Sequence, residues 1–148
     1  MQNHILTYAN HFKHLYRQSF QPLSEQYGLS QLEIDILLFL RNNPEHNTAK
    51  DISSMRGFAK SNVSKAVESL RVQGYLSSFQ DPDNRKVHRL TLCSDMEDRI
   101  ISLSVCQEQC FALLLDGFTA EERCMLQRFF DRIDANITKS LNHKKYEL

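Results

Sequence analysis

SNVSKAVESLRVQGYLSSFQDPDNRKVHRLTL, residues 61–92, changes its hydrophobic period at a single glycine. Val63, Ala66, Val67 and Leu70 recur at i, i+3, i+4 and i+7, the spacing of one helix face. This predicts a helix from about Lys60 to Gln73, closed by Gly74. Beyond the glycine, YLSSFQ and VHRLTL flank DPDNRK, the pattern of a β-hairpin. Pro82 suits the first central position of a turn, and Asp81 suits the position before it.

The flanking sequence fits the same plan. Thr48 predicts a hydroxyl cap, with Asp51 in the first turn of a short helix that Gly57 ends. Upstream, Ser30 and Glu33 form a capping-box pattern at the start of LSQLEIDILLFLRNNP, and Pro44 follows its end. Leu32, Ile36, Leu37, Phe39 and Leu40 surround that helix axis, which predicts a central, buried helix. Apolar residues recur at helical spacing from Ile5 to Phe20, and Pro22 is expected to end or kink that helix. Downstream, Ser94 with Glu97 and Thr119 with Glu122 predict two more boxed helices, reaching about Leu115 and Leu141. The order is helix, helix, short helix, helix, hairpin, long helix, helix. The expected fold is mainly α with a small β-hairpin wing. A winged helix-turn-helix at about 28–94 is flanked by helices at about 1–27 and 95–148, all in one domain.

Composition narrows the function classes. The 148 residues carry no net charge and few glycines (4) or prolines (3), which disfavours an all-β chain rich in tight turns. No run of about 18 apolar residues offers a membrane span. The N-terminus lacks the pattern of a secretion signal, and the four scattered cysteines suit a reducing cytosol. A cytoplasmic location is expected. The zero net charge hides an asymmetry, because residues 48–91 hold eight Lys/Arg against four acids. A basic centre suits a polyanion partner, although a solvated face would carry such charge equally well.

With the apolar stripe of residues 60–73 turned inward, rotation by about 100° per residue puts Ser61, Lys65 and Glu68 outward, with Asn62, Ser64 and Ser69 beside them. Small polar side chains at a helix start allow close approach to base edges and phosphates, and Lys60 and Lys65 add positive charge there. That is the make-up of a recognition helix entering a major groove. A hairpin following it would lie at the adjacent minor groove, where Arg85 can insert while Lys86 and Arg89 face phosphates. Asp83 is placed to hold Arg85 by a charge-assisted bond. The alternative is a solvated turn whose charges only discourage edge pairing.

These segments resemble the MarR-type (multiple antibiotic resistance) winged-helix regulators of bacteria and archaea. The resemblance runs from about Leu15 to Asn136 and is densest from Ala49 to Leu92. SNVSKAVESL…GYL is similar to the family's recognition helix, and DPDNRK with the following LT to its wing, with Asp83 and Arg85 in the D-x-R pattern. FTAEERCMLQRFFDRI resembles its last helix. Three positions depart from the family: Ala59 replaces a frequent capping Ser or Thr, so that the recognition helix could begin at Ser61, Arg56 replaces an apolar residue, and Ser94 replaces a glycine. The resemblance implies a homodimer, with interlocking first and last helices, that binds double-stranded DNA at a pseudo-palindromic operator. It also implies a repressor relieved by an effector. The terminal helices themselves favour a dimer, since they carry more apolar surface than one small winged helix can bury.

The resemblance further implies a small, often aromatic effector, for which Tyr8, His11, Phe12, Tyr16 and Phe111 are the candidate lining; aromatics at helical spacing suit a plain core as well. Cys106 and Cys110, at i and i+4, are expected to be structural thiols. His4, His11 and His14 match no ligand motif, so neither a metal nor a cofactor is expected. No phosphate loop, nucleophile triad or catalytic carboxylate pair stands out, and no enzyme activity is expected. The competing function is a winged helix used for protein interaction without DNA selectivity.

Overall fold

The structure, a computed structural model, describes residues 4–144. The expected terminal helices include residues 1–3 and 145–148, which lie outside the described residues. The elements are α1 (Ile5–Tyr27), α2 (Gln31–Asn42), α3 (Ala49–Arg56), α4 (Lys60–Val72), β1 (Leu76–Gln80), β2 (His88–Leu92), a 3-10 turn (Ser94–Met96), α5 (Glu97–Leu114) and α6 (Ala120–Lys144). The chain divides into two compact units, residues 1–110 and 111–148.

Local chemistry explains most element ends in the first unit. At α2, Glu33 N–H donates to Ser30 Oγ (3.2 Å) and Ser30 N–H donates to the Glu33 carboxylate (2.8 Å), the expected reciprocal box. Thr48 and Asp51 form a second such box at α3, and Gly57 ends that helix in the left-handed region at φ 68°. Arg56, in the last turn of α3, stacks over the Phe58 ring at 5.3 Å, a favourable place for a cation.

Two helix boundaries differ from those expected. The first helix does not stop at Pro22 but runs through it to Tyr27. Leu23 and Tyr27 pack against the core beyond the proline, and the helix ends at Gly28, with Leu29 N–H and Ser24 Oγ–H bonding across the end. Their burial offsets the hydrogen bond that proline cannot donate. α4 begins at Lys60, as its apolar period predicts, and not at the alternative start Ser61: Ala59 caps it without a side-chain bond, and Val63 N–H reaches Ala59 O at 3.0 Å. The Ser94–Glu97 box does not form, because the Glu97 carboxylate accepts from Arg41 instead, at 2.9 Å. A guanidinium is a stronger donor to a carboxylate than one backbone amide.

The core of this unit is built around α2. Every residue from Glu33 to Leu40 is buried, and the helix packs against α1, α4 and β2. Phe20, Ile52, Val63, Leu70, Tyr75, Ile100 and Leu103 are among the other members of the cluster. Asp35 lies within the buried run. Burial pushes its carboxyl pKa up, only partly opposed by a hydrogen bond from Gln31 and the charges of Arg56 and Arg17. A raised acid holds its proton longer folded than unfolded, so its ionised form costs stability at neutral pH and that cost fades as pH falls through the folded pKa. Asp35→Asn, which retains an acceptor for Gln31, should therefore raise Tm at pH 7. The gain over the native chain should shrink in melts recorded at progressively lower pH.

β1 and β2 pair antiparallel, with Leu76 opposite Leu92 and Gln80 opposite His88. The far edge of β2 is also used: Leu90 N–H donates to Asn47 O at 2.8 Å, and Thr48 bridges Arg89. The hairpin is thereby pinned to the segment that starts α3.

In the second unit, Thr119 and Glu122 form the expected box at the start of α6. Along α6, Met125, Phe129, Phe130, Ile133, Ile137 and Leu141 are all exposed, each by 47% or more. No described helix is long and apolar enough to cross a membrane.

Candidate nucleic-acid interface

The inward stripe of α4 fixes what its outer face presents. Val63, Ala66 and Leu70 are buried, and Lys60, Ser61, Asn62, Ser64 and Lys65 are exposed. Among the described residues the side chains of these five form no hydrogen bond or ion pair. Their donors are available to a ligand. Glu68, the acid on that face, is held by Arg71 through two bonds of 2.7 and 2.9 Å. That bonding lowers the Glu68 carboxyl pKa, and its charge is matched within the helix. Asn62, Lys65 and Ser69 share a shallow groove of about 310 Å³ with Ser30, the cap residue of α2. Ser30 was not among the sequence candidates, since only the fold brings the start of α2 beside α4.

The turn of the hairpin is ordered by one carboxylate. Asp81 Oδ1 accepts the N–H groups of Asp83 (2.8 Å) and Asn84 (3.2 Å), which sets the turn around Pro82. Asn84 repeats the device, its side-chain oxygen accepting Lys86 N–H at 3.2 Å. Asp83, Arg85 and Lys86 then stand exposed. Asp83 does not hold Arg85, contrary to the sequence expectation: among the described residues neither side chain has a partner. The pair that forms is Asp81 with Arg89, and the Arg89 guanidinium also donates to Asn47 Oδ1 at 2.8 Å. Asp81 is only 8% exposed, so a charge there gains more from a partner than Asp83 gains at the solvated tip. Arg89 thus anchors the hairpin to the segment before α3, and of the nine sequence candidates it alone is engaged inside the fold.

The Arg89 guanidinium and the two turn amides hold the Asp81 carboxyl pKa below its ordinary value. A depressed acid contributes stability that is present above its unfolded pKa and lost as pH falls through the folded one. Arg89→Ala should therefore lower Tm at pH 7, and the difference from the native chain should narrow below about pH 4. Thermal melts across that range check both parts.

The effector candidates divide between the units. Tyr8 and His11 are exposed on α1, whereas Phe12 and Tyr16 are half-buried. Phe12, Tyr16 and Phe20 form an aromatic row with centroid separations of 5.7 and 4.8 Å, and the Tyr16 hydroxyl accepts from Gln107 at 2.8 Å. Burial pushes the Tyr16 phenol pKa up. Phe111 opens the second unit and is exposed. Cys110 is buried, and burial raises the Cys106 thiol pKa while its S–H donates to Ser19 O. These surroundings keep Cys106 a thiol rather than a thiolate.

Residues 27–86 match the family model described as MarR family. No curated protein sequence matches. Among solved structures, a MarR protein from Peptoclostridium difficile superposes with a TM-score of 0.79 at 17% identity, over 95% of this chain and 91% of that one. A MarR transcriptional regulator from Methanosarcina mazei Go1 gives 0.78 at 15% identity, over 94% and 92%. A MarR family transcriptional regulator from Listeria monocytogenes, complexed with a 26mer DNA, gives 0.76 at 18% identity, over 95% and 90%. At such identities the structural likeness establishes the fold, and the family match covers the helix-turn-helix and the turn of the wing. Residues 27–86 of the chain thus match the MarR family model, and over most of its length the chain has the fold of these MarR structures.

Proposed function

We propose that this chain is a homodimeric, sequence-specific DNA-binding regulator of transcription, a cytoplasmic repressor released from a pseudo-palindromic operator by a small effector. The observation that carries the reading is the outer face of α4: five exposed polar or basic side chains without internal partners, beside a turn presenting Arg85 and Lys86. Ser61, Asn62 and Ser64 suit base edges, while Lys60, Lys65 and Lys86 suit phosphates. Arg85 suits the minor groove. Asp83 stays at the rim of that contact, and Arg89 serves it by fixing the wing. The DNA complex of the Listeria relative supports duplex DNA as the ligand.

The exposed apolar stripe of α6 supports dimerisation, since a row of that length left in water is unfavourable. Two-fold symmetry would then set the recognition helices about 34 Å apart, one turn of DNA. The region at about 28–94 binds DNA and the flanking helices pair. For the effector, Tyr8, His11, Phe12 and Tyr16 on α1 and Phe111 in the second unit are the positions to substitute one at a time while a phenolic compound is titrated against the complex.

Selection of bound duplexes from a random pool at fixed salt tests the whole reading. A two-fold-related consensus with half-sites one turn apart is the expected result. Recovery of no sequence above the starting pool would favour a protein-interaction module instead.

A further inference from the structure

A second basic surface adjoins the wing. A cleft of about 590 Å³ opens between the segment before α3, the first turn of α3 and the start of β2, with His46, Lys50, Lys86 and His88 on its walls. Glu45, Asp51 and Arg89 also line it. Two of these seven are committed elsewhere: Asp51 accepts Thr48 N–H, and Arg89 is held by Asp81 and Asn47. Glu45 lies 3.7 Å from His46 Nε2. With both imidazoles neutral, Lys50, Lys86 and Arg89 against Glu45 and Asp51 leave one net positive charge, and protonating both imidazoles raises it to three.

We propose that this cleft seats a backbone phosphate of the duplex engaged by α4, and that protonation of His46 and His88 tightens the hold. The inference rests on the DNA-binding reading above and extends it to residues outside the recognition helix. Lys86 links the two surfaces. It lines the cleft and directly follows Arg85, so the proposed duplex contact at Arg85 adjoins the cleft. Histidine is the side chain whose charge changes across the physiological pH range, so affinity becomes proton-linked. A carboxylate-bearing partner would find the same charge, but the family fold and the adjoining Arg85 point to DNA.

The test uses the full chain and a labelled random-sequence duplex of about three helical turns at fixed low salt. Affinity at pH 6 should exceed that at pH 8 by roughly fivefold or more. The slope of log affinity against log salt should be steeper at pH 6 by about one. His46→Gln with His88→Gln should keep the pH 8 affinity and lose the gain at pH 6. Lys50→Ala should flatten the salt slope at pH 8, a readout independent of the histidines. A pH gain that persists in the double glutamine variant, or none in the native chain, would overturn the proposal while leaving DNA binding intact. A native chain that binds no duplex at either pH would overturn both.

Discussion

Leu37→Ala should unfold the protein about 6–15 °C earlier than the native chain, measured by thermal melting at pH 7. Leu37 is fully buried at the middle of α2, the helix that packs against α1, α4 and β2. Truncation removes apolar contacts and leaves a cavity whose walls belong to several elements, none of which can move in alone. The cost expected for such a site is about 2–5 kcal/mol. Against a total stability of about 5–15 kcal/mol, that is a large fraction. A loss below about 1 kcal/mol would show that α2 is not the centre of the core. DNA affinity of the folded fraction should be unchanged, because Leu37 lies far inside the surface that α4 presents.

Arg85→Ala should show the opposite pattern, with stability retained and operator affinity lowered by about 1–3 kcal/mol, a loss of roughly 5- to 150-fold. Arg85 is exposed and forms no bond within the described residues, so its removal leaves no unsatisfied group in the fold. In the proposed complex its guanidinium would meet the concentrated negative potential of a narrow minor groove, which alanine would forfeit. Arg85→Lys should recover part of the loss, since charge is kept but the planar donor fork is not. Titration of a labelled operator at one salt concentration measures all three proteins. Full affinity in Arg85→Ala would remove the hairpin from the interface.

The two substitutions mark where the sequence could be read and where it could not. Capping boxes at Ser30, Thr48 and Thr119 were legible because both partners lie three residues apart; even Glu33, whose other oxygen accepts a long bond from distant Gln73, keeps the Ser30 N–H. Ser94 carried the same signature, but its partner Glu97 is drawn to Arg41, a residue far upstream in the chain. The wing was misread for the same reason. Its location, turn and basic tip follow from local pattern, whereas the choice of Asp81 over Asp83 as the arginine's acceptor depends on burial and on Asn47 across the hairpin edge. Pro22 shows the converse case, a strong local signal overruled by the packing of Leu23 and Tyr27. Neither the Ser30 groove nor the His46–His88 cleft has a local signal, since each joins segments that only the fold brings together.

The pinning of β2 to Asn47 and Thr48 sets a condition on any complex this protein forms. A hairpin tethered only at its base swings, and a ligand must freeze it at an entropic cost drawn from the binding energy. Here both edges of β2 are hydrogen-bonded and Arg89 locks the outer one, so the wing is oriented before anything arrives. The rigid hairpin also denies its inner strand to stray chains seeking an edge. Arg85 then projects from a turn whose backbone is already set by Asp81, so the ordering of that backbone is complete before any ligand is met.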